Sequence, residues 1–573
     1  MRLPALLTTG LASFFLILPA LSFGKPSKEA EDAKRQAKLF QKKLSKDQQV
    51  QHALDRLTFG PKPGDIARVK KMGLKKWLDL QLHPERIPEN RDLEAKLQPL
   101  ESLRMSPMEA GQHYPTVQMI RAIAAGRQPL PEDPVLRASI QRWIVRYKIN
   151  KNKEDDTEME PAKTLEETLA PPELYTLRNG KPDQKRQLLE SMPADKLEDV
   201  LVALPRGQRQ QLFNNSPADV QRRIMLLNSP QQVVAYDLLQ AKLLRAIESN
   251  RQLAEELDDF WFNHFNVYYD KGSDRFLIPD YEREAIRPHV LGKFRDLLEA
   301  TAKSPAMLFY LDNFQSVRAD IDANSKRKVK RGLNENYGRE LMELHTLGVN
   351  GGYTQHDVTE VARCFTGWTI QDPRRGGAFF YDDKLHDKGE KMVLGHVIPA
   401  GGSIEDGEKV LDILAAHPST AKFISTELAQ RFVADNPPPA LIDKMSKTFL
   451  DSGGDIRQVM KTMLDSKEFW SQGAYRAKVK TPFEMVASSV RALDANVTDA
   501  WALANQVGNL GEPLYRKQEP TGYSNLNSDW VNSAALLGRM NFAVQVSKNQ
   551  VQGVKTAASQ SAELIGSPDF QRK

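Results

Sequence analysis

Residues 334–370 read NENYGRELMELHTLGVNGGYTQHDVTEVARCFTGWTI and decide the fold class of this chain. Apolar residues recur at helical spacing in two stretches, which are joined by a glycine-rich turn. Asn334 is suited to cap the first helix, and Gly348 is suited to end it in a left-handed conformation. We therefore expect a helix over residues 335–347, a second helix after the turn, and a mainly α protein.

The same stretch places many ionisable side chains beside apolar faces, which predicts a polar site. At about 100° per residue, Glu340 and Glu343 lie near one another, whereas His345 is displaced from Glu340 by roughly 140°. This spacing differs from the Glu-x-x-His of di-iron bundles and the His-Glu-x-x-His of zinc proteases. A divalent metal would therefore need histidines from elsewhere in the chain. The candidate metal ligands are His264, His289 and His386.

Histidines are concentrated around this region, since seven of the ten lie between His264 and His417. Neutral imidazole is the commonest metal ligand and a natural proton carrier, so the clustering favours chemistry. We expect His264, His289, Glu340 and His345 to converge on one pocket. The alternative is a buried ion-pair network, because structural networks also gather ionisable residues. The candidate catalytic residues are Glu340, Glu343, His345 and His264.

The first 24 residues predict a signal peptide. Arg2 precedes an apolar run over residues 3–21, and Ser22-Phe23-Gly24 provides small residues for cleavage after Gly24. Prolines interrupt the run, leaving it shorter than the roughly 20 residues of a spanning helix. We expect a periplasmic or secreted protein that retains no membrane span after cleavage.

Composition narrows the class of protein further. The 573 residues are 40% apolar and include one cysteine, Cys364, which excludes an internal disulfide and most simply packs in a core. The formal charge of +6 is mild for a chain this long, and no nucleic-acid motif accompanies it. We therefore expect no nucleic-acid partner.

Residues 185–232 contain an internal repeat in which prolines 193, 205, 217 and 230 are spaced 12, 12 and 13 residues apart. Proline is tolerated in the first turn of a helix, so each unit predicts one short helix of an inserted module. Alternating residues in 377–398 predict a small β-hairpin around Lys388 and Gly389, with His386 at its tip. The expected segments are the signal peptide (1–24), a charged leader (25–47), the first part of the helical core (48–149), a charged linker with the repeat insert (150–232), the main core with the candidate site (233–545) and a C-terminal tail (546–573).

Several ordered motifs resemble one family. QHALDRLTFGP (51–61), FWFNHFNV (260–267), RFVADNPPP (431–439) and KVKTPFEMV (478–486), together with the opening stretch, resemble the bacterial domain of unknown function 1800 family. The resemblance runs from about residue 48 to about residue 542, apart from the insert. It implies an exported bacterial protein whose partner is a second exported protein, encoded nearby, with an alkaline-phosphatase-like fold.

Three functions are consistent with these patterns. The first is an exported enzyme with a mixed histidine and carboxylate site that holds a metal and activates water. The second is a haem or other redox protein, in which haem would be non-covalent because no CxxCH is present. The third is a non-catalytic assembly partner that docks through the repeat. The polar density of the core, away from the repeat, favours the enzyme.

Overall fold

The computed structural model describes residues 35–151, 163–319, 332–373, 376–556 and 562–573. The expected signal peptide, the leader up to residue 34 and most of the charged linker (152–162) lie outside these ranges. Within them the protein is mainly α-helical, as the sequence predicts.

The first part of the chain forms seven helices. Ser45 starts the first of them through a capping box with Gln48, and Gly73 separates the next two with a positive φ of 91°. Helix α1 lays Leu54 and Leu57 against the main core. The helices are α1 (Lys46–Leu57), α2 (Asp65–Met72), α3 (Leu74–Leu82), α4 (Arg91–Leu97), α5 (Pro107–His113), α6 (Val117–Ala124) and α7 (Pro134–Lys151).

The proline repeat forms short helices with an apolar core of their own, which includes Leu197, Val220 and Ile224. Pro193, Pro205 and Pro217 each occupy an N-cap, one position earlier than the first helical turn expected for them. The module contains α8 (Leu165–Thr168), α9 (Pro171–Asn179), α10 (Pro182–Ser191), α11 (Ala194–Ala203), α12 (Arg206–Asn215) and α13 (Ala218–Asn228).

The fourth repeat unit does not belong to this module. Pro230 caps an 18-residue helix, α14 (Gln231–Glu248), in which 15 residues are buried in the body of the protein. The proline spacing therefore continues to Pro230, although the helix that follows Pro230 packs in the body of the protein and not in the module. The inserted module ends one repeat unit earlier than the sequence indicates.

The main core continues with helices that surround α14. They are α15 (Gln252–His264), α16 (Asp274–Asp280), α17 (Phe294–Ala302), α18 (Pro305–Tyr310), α19 (Glu335–Glu343), α20 (Gln355–Cys364), α21 (Glu405–Ala415), α22 (Pro418–Phe432), α23 (Pro439–Asp451), α24 (Ile456–Leu464), α25 (Pro482–Ala492), α26 (Trp501–Asn509), α27 (Asn527–Trp530), α28 (Ser533–Ser547) and α29 (Ala562–Gly566). A six-residue π-helical segment, Tyr281–Ile286, follows α16 directly.

The described β-structure consists of three two-stranded antiparallel sheets. Strand β1 (Trp368–Ile370) pairs with β2 (Phe379–Tyr381), β3 (Lys391–Val393) with β4 (His396–Ile398), and β5 (Asn496–Val497) with β6 (Val554–Lys555).

The expected hairpin around Lys388 and Gly389 is wrong in its pairing. The tight turn lies instead at Leu394 and Gly395, whose φ angles of 50° and 79° suit a two-residue hairpin turn. His386 is not at a hairpin tip but fully buried. The alternation of apolar and polar residues correctly indicated β-strands here, but it did not indicate which strands pair.

Residues 546–556 and 562–573, expected as a tail, pack on the core. Val546, Val554 and Ile565 join the same large apolar cluster as α1, and Lys573 is only 2% exposed. The backbone of Lys573 exchanges hydrogen bonds with that of Lys478. In the described part of the chain, every helix is too short or too polar to traverse a lipid bilayer.

Candidate functional site

Helix α19 carries the predicted carboxylates close to where the sequence places them. Asn334 caps it, and Gly348 adopts a φ of 77° after the final turns. Glu340 is half-buried, and burial followed by the charge of Glu343 raises the pKa of Glu340. Glu343 accepts a hydrogen bond from the hydroxyl of Tyr353 at 3.2 Å. The two carboxyls therefore share one face and repel one another.

The structure also brings His264 and His345 together, with ring centroids 6.3 Å apart. Nε2 of His264 lies 3.1 Å from the carbonyl oxygen of His345, and Phe265 contacts both rings. Burial, followed by the neighbouring His264, lowers the pKa of His345 to about 3. Nε2 of His345 is buried without a hydrogen-bond partner among the described residues. His345 is thus a neutral ring in an aromatic environment.

The other two predicted metal ligands are engaged locally. Nδ1 of His289 lies 2.9 Å from the carbonyl oxygen of Ala285, one turn earlier. His386 is held between the carbonyl oxygen of Thr366 at 2.8 Å and the carboxylate of Asp406 at 3.1 Å. In the ranges that the structure describes, no three His, Cys, Asp or Glu side chains form a group that could hold a metal ion. The expected ligand set therefore does not assemble there.

A second polar region is centred on helix α15, which contributes four carboxylates from two sides. Glu256 and Asp259 point to one cation, Arg431 of α22, at 2.9 and 3.2 Å. The same guanidinium lies 2.9 Å from Glu484 of α25, and Lys573 contacts both Glu484 and Glu256. Arg431, Glu256, Glu484 and Lys573 are all at least 94% buried. A guanidinium can serve several carboxylates at once because its donors form a rigid fork.

The other side of α15 faces Arg287. This guanidinium lies 2.8 Å from Glu255, 2.7 Å from Asp258 and 3.6 Å from Glu282 of the π-helical segment. Lys242 of α14 links the group around Arg431 to the group around Arg287, since its ammonium lies 3.1 Å from Asp259 and 3.9 Å from Glu282.

We call these linked groups the charged core. It comprises four cations and six carboxyl groups joined by ion pairs, with Glu512 as a seventh carboxyl beside them. The cations are Lys242, Arg287, Arg431 and Lys573. The carboxyl groups are Glu255, Glu256, Asp258, Asp259, Glu282, Glu484 and Glu512.

Carboxyl groups outnumber cations by three in this set, and burial in a low-dielectric interior acts against the ionisation of each carboxyl. Burial raises the pKa of Asp258 well above its usual value and also raises that of Glu256. Burial, followed by the charge of Asp259, raises the pKa of Glu512 to about 8. Although burial opposes ionisation of Glu282, Lys242 and a hydrogen bond from Asp258 lower its pKa to about 2.

A cavity adjoins the charged core. It is small, with about 30 Å³ of space for water-sized groups. Its wall contains Lys242, Asp259, Phe262, Asn263, Asn266, Arg431, Thr481, Glu512, Leu514, Tyr515, Tyr523, Ser524 and Asn525. It thus combines Lys242 and Arg431 with Glu512, the carboxyl group whose pKa is raised to about 8.

The segment 516–525, which we call the closing loop, covers this cavity. Asn263 exchanges two hydrogen bonds with the backbone of Tyr523, and Asn266 donates to the carbonyls of Lys517 and Glu519. Gly522 is needed here, because its φ is 66° and a Cβ atom would lie 2.3 Å from the carbonyl oxygen of Asn263. The loop is fixed by α15, the helix that supplies the carboxylates.

The match to known families covers nearly all of this architecture. A family model described as "Protein of unknown function (DUF1800)" matches residues 52–571. The chain belongs to this DUF1800 family. Comparisons with curated proteins and with solved structures each gave no match. Every residue of the charged core lies within the DUF1800 match except Lys573, two residues beyond it.

Sequence reasoning missed most of the charged core of this DUF1800 chain. Asp258 and Asp259 were visible in the aromatic motif of α15, but Arg431, Glu484 and Glu512 lie more than 170 residues away. Two of these three occur in the motifs RFVADNPPP and KVKTPFEMV, which also contain the charged residues Asp435, Lys478 and Lys480. No local signal therefore separated Arg431 and Glu484 from the other charged residues.

Proposed function

We propose that the protein is an enzyme that uses general acid–base catalysis in the cavity beside the charged core. The observation that carries this proposal is the environment of Glu512, a carboxyl group that is 6% exposed in a cavity wall and whose pKa is raised to about 8. A general acid is most effective when its pKa lies near the working pH, and burial is the usual means of raising that of a glutamate.

In this proposal Glu512 and Asp259 have opposite roles. Glu512 holds a proton at neutral pH and delivers it to an oxygen of the substrate. Asp259 lies 3.1 Å from Lys242 and 3.2 Å from Arg431, which hold its carboxyl group in place to orient a water molecule.

The pair His264 and His345 is not assigned a proton-transfer role. His345 is neutral throughout the physiological range because its pKa is lowered to about 3. Its aromatic surroundings suit a packed ring, and its backbone carbonyl fixes the His264 ring at the end of α15. We propose that these two histidines position α15 and that the chemistry occurs next to them, in the cavity.

The decisive experiment measures the protonation of Glu512. Carboxyl ¹³C signals of the protein labelled at glutamate, compared with those of Glu512→Gln, should identify one glutamate that titrates near pH 8. Titration of Glu512 near its ordinary value would overturn the proposal. A panel of aryl esters, aryl phosphates and aryl glycosides then tests turnover. Loss of the acid should reduce any rate by about 10²–10⁴-fold, whereas Glu519→Gln, at an exposed site on the closing loop, should not.

We also propose that the protein is exported, with cleavage after Gly24. The charged n-region and the apolar run of residues 3–21 support this, although both lie outside the described residues. Amino-terminal sequencing of the protein recovered from a bacterial periplasmic fraction should begin at Lys25. Recovery of an uncleaved chain in the membrane fraction would contradict it.

A further inference from the structure

Two groups of the cavity wall, Lys242 and Glu512, can each donate a hydrogen bond to a ligand. The carboxylate of Asp259 is engaged by Lys242 and Arg431, and the amides of Asn263 and Asn266 are engaged by the closing loop. The carboxyl group of Glu512 also has a side-chain hydrogen bond with Thr481.

The ammonium of Lys242 is surrounded by aromatic rings and has more N–H donors than carboxylate partners at hydrogen-bond distance. It is 7% exposed and lies 5.3–5.6 Å from the ring centroids of Phe262, Phe483 and Tyr515. Among the described residues, Asp259 is its one carboxylate partner at hydrogen-bond distance. An ammonium has three N–H donors, so Lys242 can still donate into the cavity.

Glu512 supplies a second donor. Its Oε2 accepts the backbone N–H of Phe483 at 2.7 Å, and the protonated carboxyl group has an O–H left to donate. The wall also carries Lys242, Arg431 and Asp259. Its two donors, the Lys242 ammonium and the protonated Glu512 carboxyl, favour a ligand that accepts hydrogen bonds.

We propose that the cavity binds the carboxylate group of a small substrate, with Lys242 and Glu512 as its two donors. This rests on the proposed function, because it concerns the same cavity, and it adds the class of substrate. A carboxylate accepts charge-assisted hydrogen bonds from both an ammonium and a carboxylic acid, which are stronger than bonds between neutral groups.

The proton on Glu512 makes recognition dependent on pH. As pH rises through about 8, Glu512 loses that proton and presents a negative charge in place of a donor. Affinity for a carboxylate should therefore decrease by about tenfold per pH unit above that point. The titratable and charged groups that face Glu512 from the surrounding elements are Lys242, Asp259, Arg431, Glu484, Tyr523 and Arg539.

The test titrates the purified full-length protein with sodium acetate, acetamide and methylammonium chloride between pH 6.5 and 9.5, and follows binding by NMR. We expect acetate to bind at least tenfold more tightly than acetamide, methylammonium not to bind, and the affinity for acetate to fall above pH 8. Glu512→Gln, which keeps an N–H donor, should bind acetate with no change across this pH range. Lys242→Met should weaken binding at least tenfold, while Lys461→Met, at an exposed ion pair, should have no effect.

Two results would overturn the proposal: equal affinity for acetate and acetamide, or preference for methylammonium. If Lys242→Met fails to fold by circular dichroism, Glu512→Leu replaces it, and its affinity for acetate at pH 7 should be about tenfold below that of Glu512→Gln. A protein in which Glu512 titrates near pH 8 but acetate does not bind would refute carboxylate recognition alone. A Glu512 that titrates near its ordinary value would refute the acid–base function as well.

Discussion

The charged core and helix α19 contain the same kinds of residue in different surroundings. In the charged core, Arg431 contacts three carboxylates from two helices, Glu256 and Asp259 of α15 and Glu484 of α25. On α19, Arg339 lies 3.4 Å from Glu335 one turn away, and both side chains are 35–40% exposed. Ionisable residues are densest in the sequence around α19. The strongest electrostatic interactions, however, are in the charged core, because its charged groups are buried. The difference shows that long-range pairing, and not local abundance, determines where charges interact strongly.

The largest effect should come from removing the cation at the centre of the charged core. Arg431→Met leaves Glu256, Asp259 and Glu484 without their shared partner, and breaking a buried pair in this way costs about 3–5 kcal/mol. Arg339→Met, the matched change on α19, should cost about 0–1 kcal/mol. Urea unfolding followed by circular dichroism measures both. Similar losses of unfolding free energy in the two variants would show that charges in the core and on α19 contribute equally to stability.

The next effect is the pH dependence of stability that Glu512 contributes. Its pKa is about 8 in the folded protein, above the ordinary glutamate value that applies when the chain is unfolded. Between pH 5 and 8 the folded state therefore holds a proton that the unfolded state has released, so stability falls as pH rises. The contribution is at most about 1.4 kcal/mol per pH unit, and it ends above pH 8.

Glu512→Gln isolates this contribution, because glutamine does not titrate. We expect the variant to lose less stability than the wild type between pH 5 and 8, and the two curves to run parallel above pH 8. Parallel curves over the whole range would show that Glu512 ionises normally. Glu340→Gln is the matched control on α19, where the carboxyl group is only half-buried.

A buried carboxyl that forms no ion pair among the described residues sharpens the comparison further. Asp274 is fully buried, and neither of its carboxyl oxygens has a hydrogen-bond partner among the described residues. Burial raises its pKa well above the usual range. Asp274→Asn should therefore raise stability by about 1–3 kcal/mol at pH 7, and the gain should disappear below about pH 3, where the carboxyl is protonated in both states. Thermal unfolding at the two pH values tests this, and a loss at pH 7 would indicate an unseen partner.

The parts of the structure that the sequence predicts are those set by neighbouring residues. Asn334 caps α19 as expected, because N-capping is a local requirement, whereas that helix ends at Glu343, four residues before its expected end. The pairing of β3 with β4 was missed, because the left-handed conformation of Leu394 is not a preference of leucine. The charged core was missed for a different reason. No local pattern reveals that Arg431 meets Glu484, since the contact exists only after α15, α22 and α25 pack together.

The smallest effect should be that of Glu340→Gln. Burial and then the charge of Glu343 raise the pKa of Glu340, so above its ordinary pKa the folded state is disfavoured by this group. Removing the charge should leave the melting temperature unchanged or slightly higher at pH 7 and have no effect near pH 3. A large drop in melting temperature would show that Glu340 belongs to a structural ion-pair network after all. If turnover is found, an unchanged rate in this variant would place the catalytic site in the cavity. Loss of activity would instead place the catalytic site on α19.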